Sequence, residues 1–357
     1  MDQALRLAAR AVGRTRPNPV VGCVIVADNR VVGRGFHPKA GEPHAEVFAL
    51  RDAGQKAKGA TAYVTLEPCS HTGRTPPCAQ GLIKAGVSRV VVAMTDPNPK
   101  VSGAGLQMLQ SAGIEVATGV REEEAKSLIK PFTTWVKHGR PMLTLKMAAS
   151  LDGKTATRSG ESQWITGPYA RKYVQGMRDR HDVVLVGIGT VLADDPRLNC
   201  RIAGGRDPIR LVVDSNLQIP HSATIYESSD SAPLWIATLE KNSGQTVERL
   251  SQRGVKVIKC KETSDGRVDL VHMMQQLGEL EITSVLSEAG GILSDGLLNA
   301  GVVDRLALFL APKLIGGHEA PGLLKGLGVA ELAKAQKISN LKVTTIGDDL
   351  LIRGDII

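Results

Sequence analysis

Aromatic side chains are scarce in this chain. Phe, Tyr and Trp make up 3% of its 357 residues, too few for the stacking platforms that hold single-stranded nucleic acid. Long apolar runs are missing as well. None approaches the roughly 20 residues of a membrane span, and residues 1–10 carry helical periodicity without the apolar core of a secretion signal. Cysteine is limited to Cys23, Cys69, Cys78, Cys200 and Cys260. An odd number in a long chain argues against a disulfide framework. These absences point to the cytoplasm and to no membrane partner. No five like charges stand in a row, and the acidic triplet Glu122, Glu123, Glu124 reads as a solvated helix face. A Rossmann nucleotide turn is lacking too, because Gly35, Gly103 and Gly105 do not have the G-x-G-x-x-G spacing after a strand.

Hydrophobic residues make up 42% and charged residues 22%, an ordinary soluble composition with apolar material for two cores at this length. Lys and Arg outnumber Asp and Glu by 44 to 36, a net charge of +8. That balance suits anionic ligands, either nucleic acid or small phosphorylated metabolites.

Residues 2–12 read as a helix, with Leu5, Ala8, Ala9 and Val12 at helical spacing. Residues 20–26 and 31–36 read as strands about an Asp28-Asn29 turn. Helices over 45–53, 79–85 and 105–112 then alternate with strands over 61–66, 89–94 and 114–117, a sheet with helices on its faces. Residues 121–138 form a connecting helix that Pro131 kinks or ends. The alternation restarts at Met142. Strands are expected over 142–147, 182–186, 209–213, 234–237, 255–258, 284–287 and 303–309, and helices over 168–178, 270–277 and 292–299. The expectation is two α/β domains, residues 1–140 and 141–357.

The densest chemistry lies in the first domain, where His44-Ala45-Glu46 is followed by Glu67-Pro68-Cys69 and then Cys78. One imidazole and two thiolates make three zinc ligands and leave a fourth tetrahedral position for water, the mark of a catalytic site. Zinc brings the pKa of that water near neutrality, and Glu46, two residues from a ligand, can shuttle its proton. His44 opens a helix, Cys69 follows a strand end and Cys78 precedes a helix, where thiolates are favoured. H-x-E with P-C-x-x-C marks zinc nucleobase deaminases. Here the cysteines are separated by SHTGRTPP rather than by two residues, and two buried structural cysteines are the alternative.

The stretches RPNPVVGCVIV (16–26), GEPHAEVFAL (41–50), VTLEPCSHTGRTPPC (64–78) and TDPNP (95–99) resemble the bifunctional riboflavin-biosynthesis deaminase/reductases, and the resemblance covers essentially the whole chain. The long insert between the cysteines is normal in that family. The resemblance implies a cytidine-deaminase-like three-layer α/β/α domain followed by a dihydrofolate-reductase-like α/β domain. It implies Zn2+ and NADPH as cofactors, with His44, Cys69 and Cys78 on the metal. It also implies that Asn18 binds substrate; by itself the Pro17-Asn18-Pro19 turn reads equally as a plain Asx turn. His37 and His71 can meet the substrate or its phosphate, or stand merely exposed. Lys39 and Arg74 are phosphate candidates. Asp96 and Asn98 lie past a strand's C-terminal end, where ligands of α/β sheets gather.

In the second domain, Ser287-Glu288-Ala289-Gly290-Gly291-Ile292 joins a strand to a helix. Its glycines let backbone N–H groups approach a pyrophosphate at a helix N-terminus, although glycines are common at such turns. Residues 146–153 and 186–196 follow further strands, and Thr190 can be an N-cap or a phosphate donor. Together the three stretches resemble the reductase domain of the same family. That resemblance puts Ala148, Trp164, Thr190, Asp194, Ser215 and the loop Gly290, Gly291, Ile292, Leu293, Ser294, Asp295 and Gly296 on NADPH. It puts Ser162, Arg178, Leu198, Arg201 and Glu288 on the substrate. By residue type alone, Trp164 would be a core aromatic and Arg178 and Arg201 a solvated surface. Lys146 is a candidate for stabilising an open-ring oxygen, and Glu288 for holding ribose hydroxyls.

The implied chemistry is hydrolytic deamination of a phosphorylated diaminopyrimidinone riboside, with Glu46 as proton shuttle. NADPH then reduces the ribosyl to a ribityl side chain. The expected partner is a small phosphorylated pyrimidine, with no nucleic acid, and a homo-oligomer is expected. One rival is a tRNA or nucleoside deaminase with an accessory domain; the cysteine insert and the lack of an aromatic-rich basic face count against it. Another is a nucleic-acid-binding protein with an inactive deaminase fold, against which the intact Glu46 and ligand set count. Asp214, at a strand end, would favour NADH by the Rossmann rule. The glycine loop is not a Rossmann turn, however, and NADPH is the expectation.

Overall fold

Asp28 and Asn29 both take positive φ, 49° and 58°, the left-handed pair that a tight two-residue hairpin turn demands. They fold β1 (Gly22–Ala27) back onto β2 (Arg30–Phe36). The computed structural model describes residues 1–70, 77–99, 101–227 and 232–357. The chain divides into two units, Met1–Gly139 and Arg140–Ile357.

The first unit runs α1 (Asp2–Ala9), the β1–β2 hairpin, α2 (Ala45–Ala53), β3 (Thr61–Val64), α3 (Cys78–Ala85), β4 (Arg89–Val92), α4 (Ala104–Ser111) and β5 (Glu115–Thr118). Two further helices, α5 (Glu122–Leu128) and α6 (Lys130–His138), replace the single connecting helix expected from sequence. Pro131 sits in the first turn of α6, where its missing N–H costs nothing. The sheet order is β2-β1-β3-β4-β5, antiparallel about β1 and parallel from β3 to β5. One face packs Ile25, Val64 and Val92 against Ala49, Leu82 and Leu109 of α2, α3 and α4. The other packs Val20, Leu66 and Met94 against Ala8 and Ile129. Both covers seat directly on the strands. A Cβ at Gly22 would stand 2.0 Å from Ala4 O, and one at Gly35 would stand 2.1 Å from Ala45 O. Glycine at these two points lets α1 and α2 reach the sheet.

In the second unit come β6 (Met142–Ser150), α7 (Pro168–Arg180), β7 (Val183–Gly187), α8 (Ile188–Asp194), β8 (Ile209–Val213) and β9 (Leu234–Leu239). They are followed by α9 (Gln245–Gln252), β10 (Lys256–Cys260), α10 (Leu270–Glu279), β11 (Ser284–Ser287), α11 (Gly291–Asn299) and β12 (Arg305–Ala311). A hairpin of β13 (Ile338–Ile346) and β14 (Asp349–Ile356) closes the chain. The sheet order is β10-β9-β8-β7-β11-β6-β12-β14-β13. Strands β6 to β12 are mutually parallel, and the hairpin adds antiparallel strands at one edge. Buried Asp182 fixes the middle of the sheet: its Oδ2 accepts from Thr283 N, Thr283 Oγ1 and Ser284 N at 3.0, 2.7 and 3.1 Å, tying the start of β7 to that of β11. From β6 the chain crosses to β7 on one side, and from β11 it crosses back over β6 to β12. The C-terminal ends of β6, β7 and β11 therefore surround a topological switch point, where parallel sheets open a crevice.

Candidate active sites

His44 is the N-cap of α2, in extended backbone (φ −74°, ψ 165°), and Cys78 is the first residue of α3. Cys69 lies on the loop after β3. The three side chains converge. His44 Nδ1 is 3.2 Å from Cys78 Sγ and 3.6 Å from Cys69 Sγ, and the three donor atoms all lie within 4.8 Å of one another. The Cys78 N–H donates to Cys69 Sγ at 3.3 Å. Donation from the Cys78 thiol, helped by His44 and by that N–H, holds the Cys69 thiol down to about 4 although burial opposes it. The Cys78 thiol, as donor to a thiolate in a buried place, is pushed strongly up. His44 is raised, chiefly by its bond to Cys69. An imidazole nitrogen and two sulfurs crowded around shared protons fit a tetrahedral zinc, which displaces such protons on binding.

Glu46, in the first turn of α2, is 3% exposed, and its Oε2 has no hydrogen-bond partner among the described residues. A buried polar atom left unpaired costs about 1–3 kcal/mol, a cost tolerated where function uses the group. Burial pushes the Glu46 carboxyl up to about 7. At neutral pH it can both take and return a proton.

The setting of Asn18 differs from the expectation in one respect. His37 is buried rather than exposed. Its Nδ1 lies 3.1 Å from Pro43 O and its Nε2 lies 3.1 Å from Asn18 Nδ2. A carbonyl only accepts, so Nδ1 carries the hydrogen and Nε2 accepts from the Asn18 amide. Asn18 is thereby oriented, with Oδ1 as the acceptor it offers a ligand. Burial lowers the pKa of His37 and keeps the ring neutral. Lys39 is exposed, 3.7 Å from Glu42. Asp96 Oδ1 accepts from Asn98 N at 2.8 Å, a turn within its own loop. His71 and Arg74 lie outside the described residues.

Sequence reasoning passed over Glu67. Its Oε2 accepts from the N–H groups of Asp96 and Gly103 (3.1 and 3.0 Å), and its Oε1 accepts from those of Gly105 and Leu106 (2.9 and 3.4 Å). Two residues before Cys69, this buried carboxylate caps α4 and fastens the loop carrying Asp96 to the end of β3.

In the second unit, Arg178 of α7 and Glu288 after β11 form a bidentate pair, Nε–Oε1 2.6 Å and Nη2–Oε2 3.0 Å. Their side chains are only about a tenth exposed. Burial works against the charge on Glu288, but Arg178 and then Lys146 hold its carboxyl below the usual range. Lys146 stands one strand away, since β6 and β11 pair with Leu145 opposite Ser287. Burial lowers the Lys146 pKa although Glu288 opposes this. Leu198 is buried at a positive φ of 57°, so its backbone, not its side chain, is what a ligand can reach. The Arg201 N–H donates to Gln175 Oε1 at 2.9 Å, and its side chain is exposed. Trp164 is 61% exposed, not a core aromatic, and Ser162 lies beside it on the same segment.

Two helix starts face the cofactor candidates. Both α8, after Gly187, and α11, after Gly290, lack a side-chain cap. A Cβ at Gly290 would lie 3.7 Å from Thr190 Oγ1, so the two starts are adjacent. Uncapped N–H groups at such a place suit a phosphate and fit the pyrophosphate of a dinucleotide. Thr190 lies inside α8 and is not its N-cap. In the 290–296 stretch the first turn, Gly291, Ile292 and Leu293, offers N–H groups. Ser294 N already donates to Gly290 O (3.0 Å), Ser294 Oγ donates to Ala289 O (3.1 Å), and Asp295 accepts from Asn299 (2.8 Å). Ala148 lies near the end of β6, and Asp194 is exposed at the end of α8. Ser215 Oγ accepts from Val268 N at 3.1 Å. Asp214 is fully buried, with Oδ2 accepting from Ile219 N at 2.9 Å; it holds a turn and is not displayed to a ribose.

Residues 1–94 match the cytidine and deoxycytidylate deaminase zinc-binding region, and residues 141–352, more than half the chain, match the RibD C-terminal domain. The chain belongs to the RibD family. It is 46% identical over 365 residues to riboflavin biosynthesis protein RibD of Escherichia coli (strain K12), covering 99% of this chain and 97% of that one. Acinetobacter baumannii RibD, form 1, superposes with a TM-score of 0.89 at 42% identity, covering 100% and 97%. The diaminohydroxyphosphoribosylaminopyrimidine deaminase/5-amino-6-(5-phosphoribosylamino)uracil reductase of Thermotoga maritima does so with a TM-score of 0.87 at 35% identity, covering 100% and 97%. Like other RibD proteins, the chain is a bifunctional enzyme of riboflavin biosynthesis, a zinc-dependent deaminase joined to a reductase, and its cofactors are Zn2+ and NADPH. Its fold is the deaminase α/β/α domain followed by a dihydrofolate-reductase-like α/β domain. No helix among the described residues is long and apolar enough to cross a membrane.

Proposed function

We propose that residues 1–140 deaminate 2,5-diamino-6-ribosylamino-4(3H)-pyrimidinone 5′-phosphate and that residues 141–357 reduce the ribosyl group of the product to ribityl. The observation that carries this reading is the convergence of His44, Cys69 and Cys78 beside the unpartnered, buried Glu46 carboxylate. His44, Cys69 and Cys78 would hold zinc, which supplies the Lewis acidity that makes water nucleophilic near neutral pH. Glu46 Oε2 takes the proton from the attacking water and returns it to the departing amino group as ammonia forms. Asn18, its amide set by His37, offers Oδ1 to a ring or exocyclic N–H and orients the pyrimidine.

In the second half, the first turn of α11 and Thr190 would hold NADPH, which supplies the reducing equivalents. Lys146 points its positive charge at the oxygen released when the ribose opens. Glu288, kept ionised by Arg178, retains lone pairs for ribose hydroxyls. Ala148, Trp164, Asp194 and Ser215 are assigned to the cofactor, and Ser162, Leu198 and Arg201 to the substrate. The partner is thus a small phosphorylated pyrimidine and not a nucleic acid. Thiol ligands and five free cysteines support a reducing, cytoplasmic setting. Edge strand β13 exposes Ile338, Leu341 and Val343, which supports a homo-oligomer covering that edge.

The test is an assay of purified protein with the diaminopyrimidinone substrate. Without NADPH, ammonia should appear and no ribityl product should form. With NADPH, one NADPH should be consumed per ammonia. NADPH consumption without ammonia release would overturn the proposed order of reactions.

A further inference from the structure

The second unit carries a cleft of about 480 Å3 beside α7. Trp164, Arg171, Lys172, Gln175 and Arg201 line it, and none of its lining residues is acidic. Among the described residues, none of its three cations pairs with a carboxylate. Elsewhere in the same unit, Arg140, Arg178 and Arg305 all do. Exposed cations of like sign repel one another and lose that repulsion when an anion enters.

The cleft is built rather than incidental. Arg171 lies over the Trp164 ring at 4.6 Å, and its Nη1 donates to Thr166 O at 2.8 Å. Lys313 Nζ donates to Trp164 O at 2.9 Å. The indole therefore forms a fixed wall in spite of its exposure. On the opposite side, Gln175 Oε1 holds the Arg201 N–H (2.9 Å) and Arg178 Nη1 holds Asn199 O (3.0 Å), so α7 anchors the 199–201 segment from two points. Positions 171, 175 and 178 recur at helical spacing on α7. The cleft thus runs along one helix face toward Arg178 and its partner Glu288.

We propose that this cleft is a phosphate-monoester subsite of the reductase half, with Arg171 and Lys172 binding the phosphate alongside Arg201. A guanidinium, an ammonium and a second guanidinium around one cavity match a dianion with three acceptor oxygens. Two ligands of this half carry such a group: the 5′-phosphate of the pyrimidine substrate and the 2′-phosphate of NADPH. The inference rests on the reading that residues 141–357 reduce the deaminated intermediate.

The experiment uses the full-length enzyme and the variants Lys172→Gln, Arg171→Gln and Arg171→Lys. Reduction is measured with NADPH and with NADH, and with the intermediate in 5′-phosphorylated and dephosphorylated forms. Lys172 is exposed, so its replacement leaves packing intact. Each Gln variant should raise KM for the phosphorylated member of one pair by about tenfold, the effect of losing one charge-assisted hydrogen bond. KM for the unphosphorylated member and kcat should change less than about threefold by the same reckoning. Loss of discrimination in the substrate pair assigns the cleft to the 5′-phosphate, and loss in the nicotinamide pair assigns it to the 2′-phosphate. Arg171→Lys should recover part of the lost affinity, because it keeps the charge. Unchanged KM values throughout, or equal rises for both members of both pairs, would overturn the subsite. A wild-type enzyme unable to reduce the intermediate would instead sink the underlying reading, before any variant is compared.

Discussion

In the first half of the chain, the groups that do chemistry are side chains drawn from residues 44 to 78, and they meet within 4.8 Å. In the second half, Lys146, Arg178 and Glu288 come from β6, α7 and the end of β11, and the cofactor cradle is backbone at two helix starts. The first site is defined by which atoms are present; the second is defined by where the sheet reverses its winding and what space that leaves. A single substitution should therefore erase the deaminase, while the reductase should fail by degrees.

Removing a metal ligand should have the largest effect. Cys69→Ala is expected to drop zinc from about one per chain to near zero, to abolish ammonia release, and to leave reduction of a supplied deaminated intermediate intact. Elemental analysis with the two separate assays checks this, and full zinc retention would refute the ligand set. For the reductase, the informative glycine is Gly290. A Cβ there meets only Thr190 Oγ1 at 3.7 Å, whereas one at Gly291 would come within 2.9 Å of Lys325 Cγ. Gly290→Asp should thus put a negative charge into the cradle with little steric cost and weaken NADPH binding by about tenfold or more. Titration calorimetry giving wild-type affinity would remove the cradle from the cofactor site. The smallest effect concerns acid stability. Burial opposes the charge on Glu288, yet Arg178 holds its folded-state pKa below the unfolded value. The pair then adds stability above the ordinary carboxylate range and loses it as pH falls through the lowered value. Glu288→Gln should flatten the fall of Tm between about pH 5 and pH 3. Parallel Tm curves for variant and wild type would show that the pair carries no such linkage.

The contrast also explains what could be read from the residues. His44, Glu46, Cys69 and Cys78 were legible because a metal site demands particular donor atoms at particular elements, and α2 and α3 begin where the capping logic puts them. Most of the parallel strands were legible as apolar runs, since β7 and β8 are buried along nearly their whole length. The β13–β14 hairpin was not, because β13 is almost entirely exposed and shows no inward face to alternate against. Helix α9 buries only Leu250 and so lacks an apolar stripe. Glu67 and His37 escaped for another reason. Their partners are backbone groups and an amide distant in sequence, and no residue pattern announces such contacts. The reductase residues came from family resemblance rather than from spacing, and Arg171 and Lys172 emerged only once α7 and the 199–203 segment were seen to share a cleft.

The account rests on two separable chemistries in one chain, with Glu46 as the proton carrier of the first alone. The most direct test feeds Glu46→Gln two substrates in turn, with NADPH present and zinc content measured. Given the diaminopyrimidinone riboside phosphate, the variant should retain zinc and release ammonia about 10²- to 10⁴-fold more slowly than wild type, the range for losing a general acid–base group. Given the already deaminated intermediate, it should consume NADPH at the wild-type rate. Near wild-type ammonia release, or loss of reduction along with deamination, would contradict it.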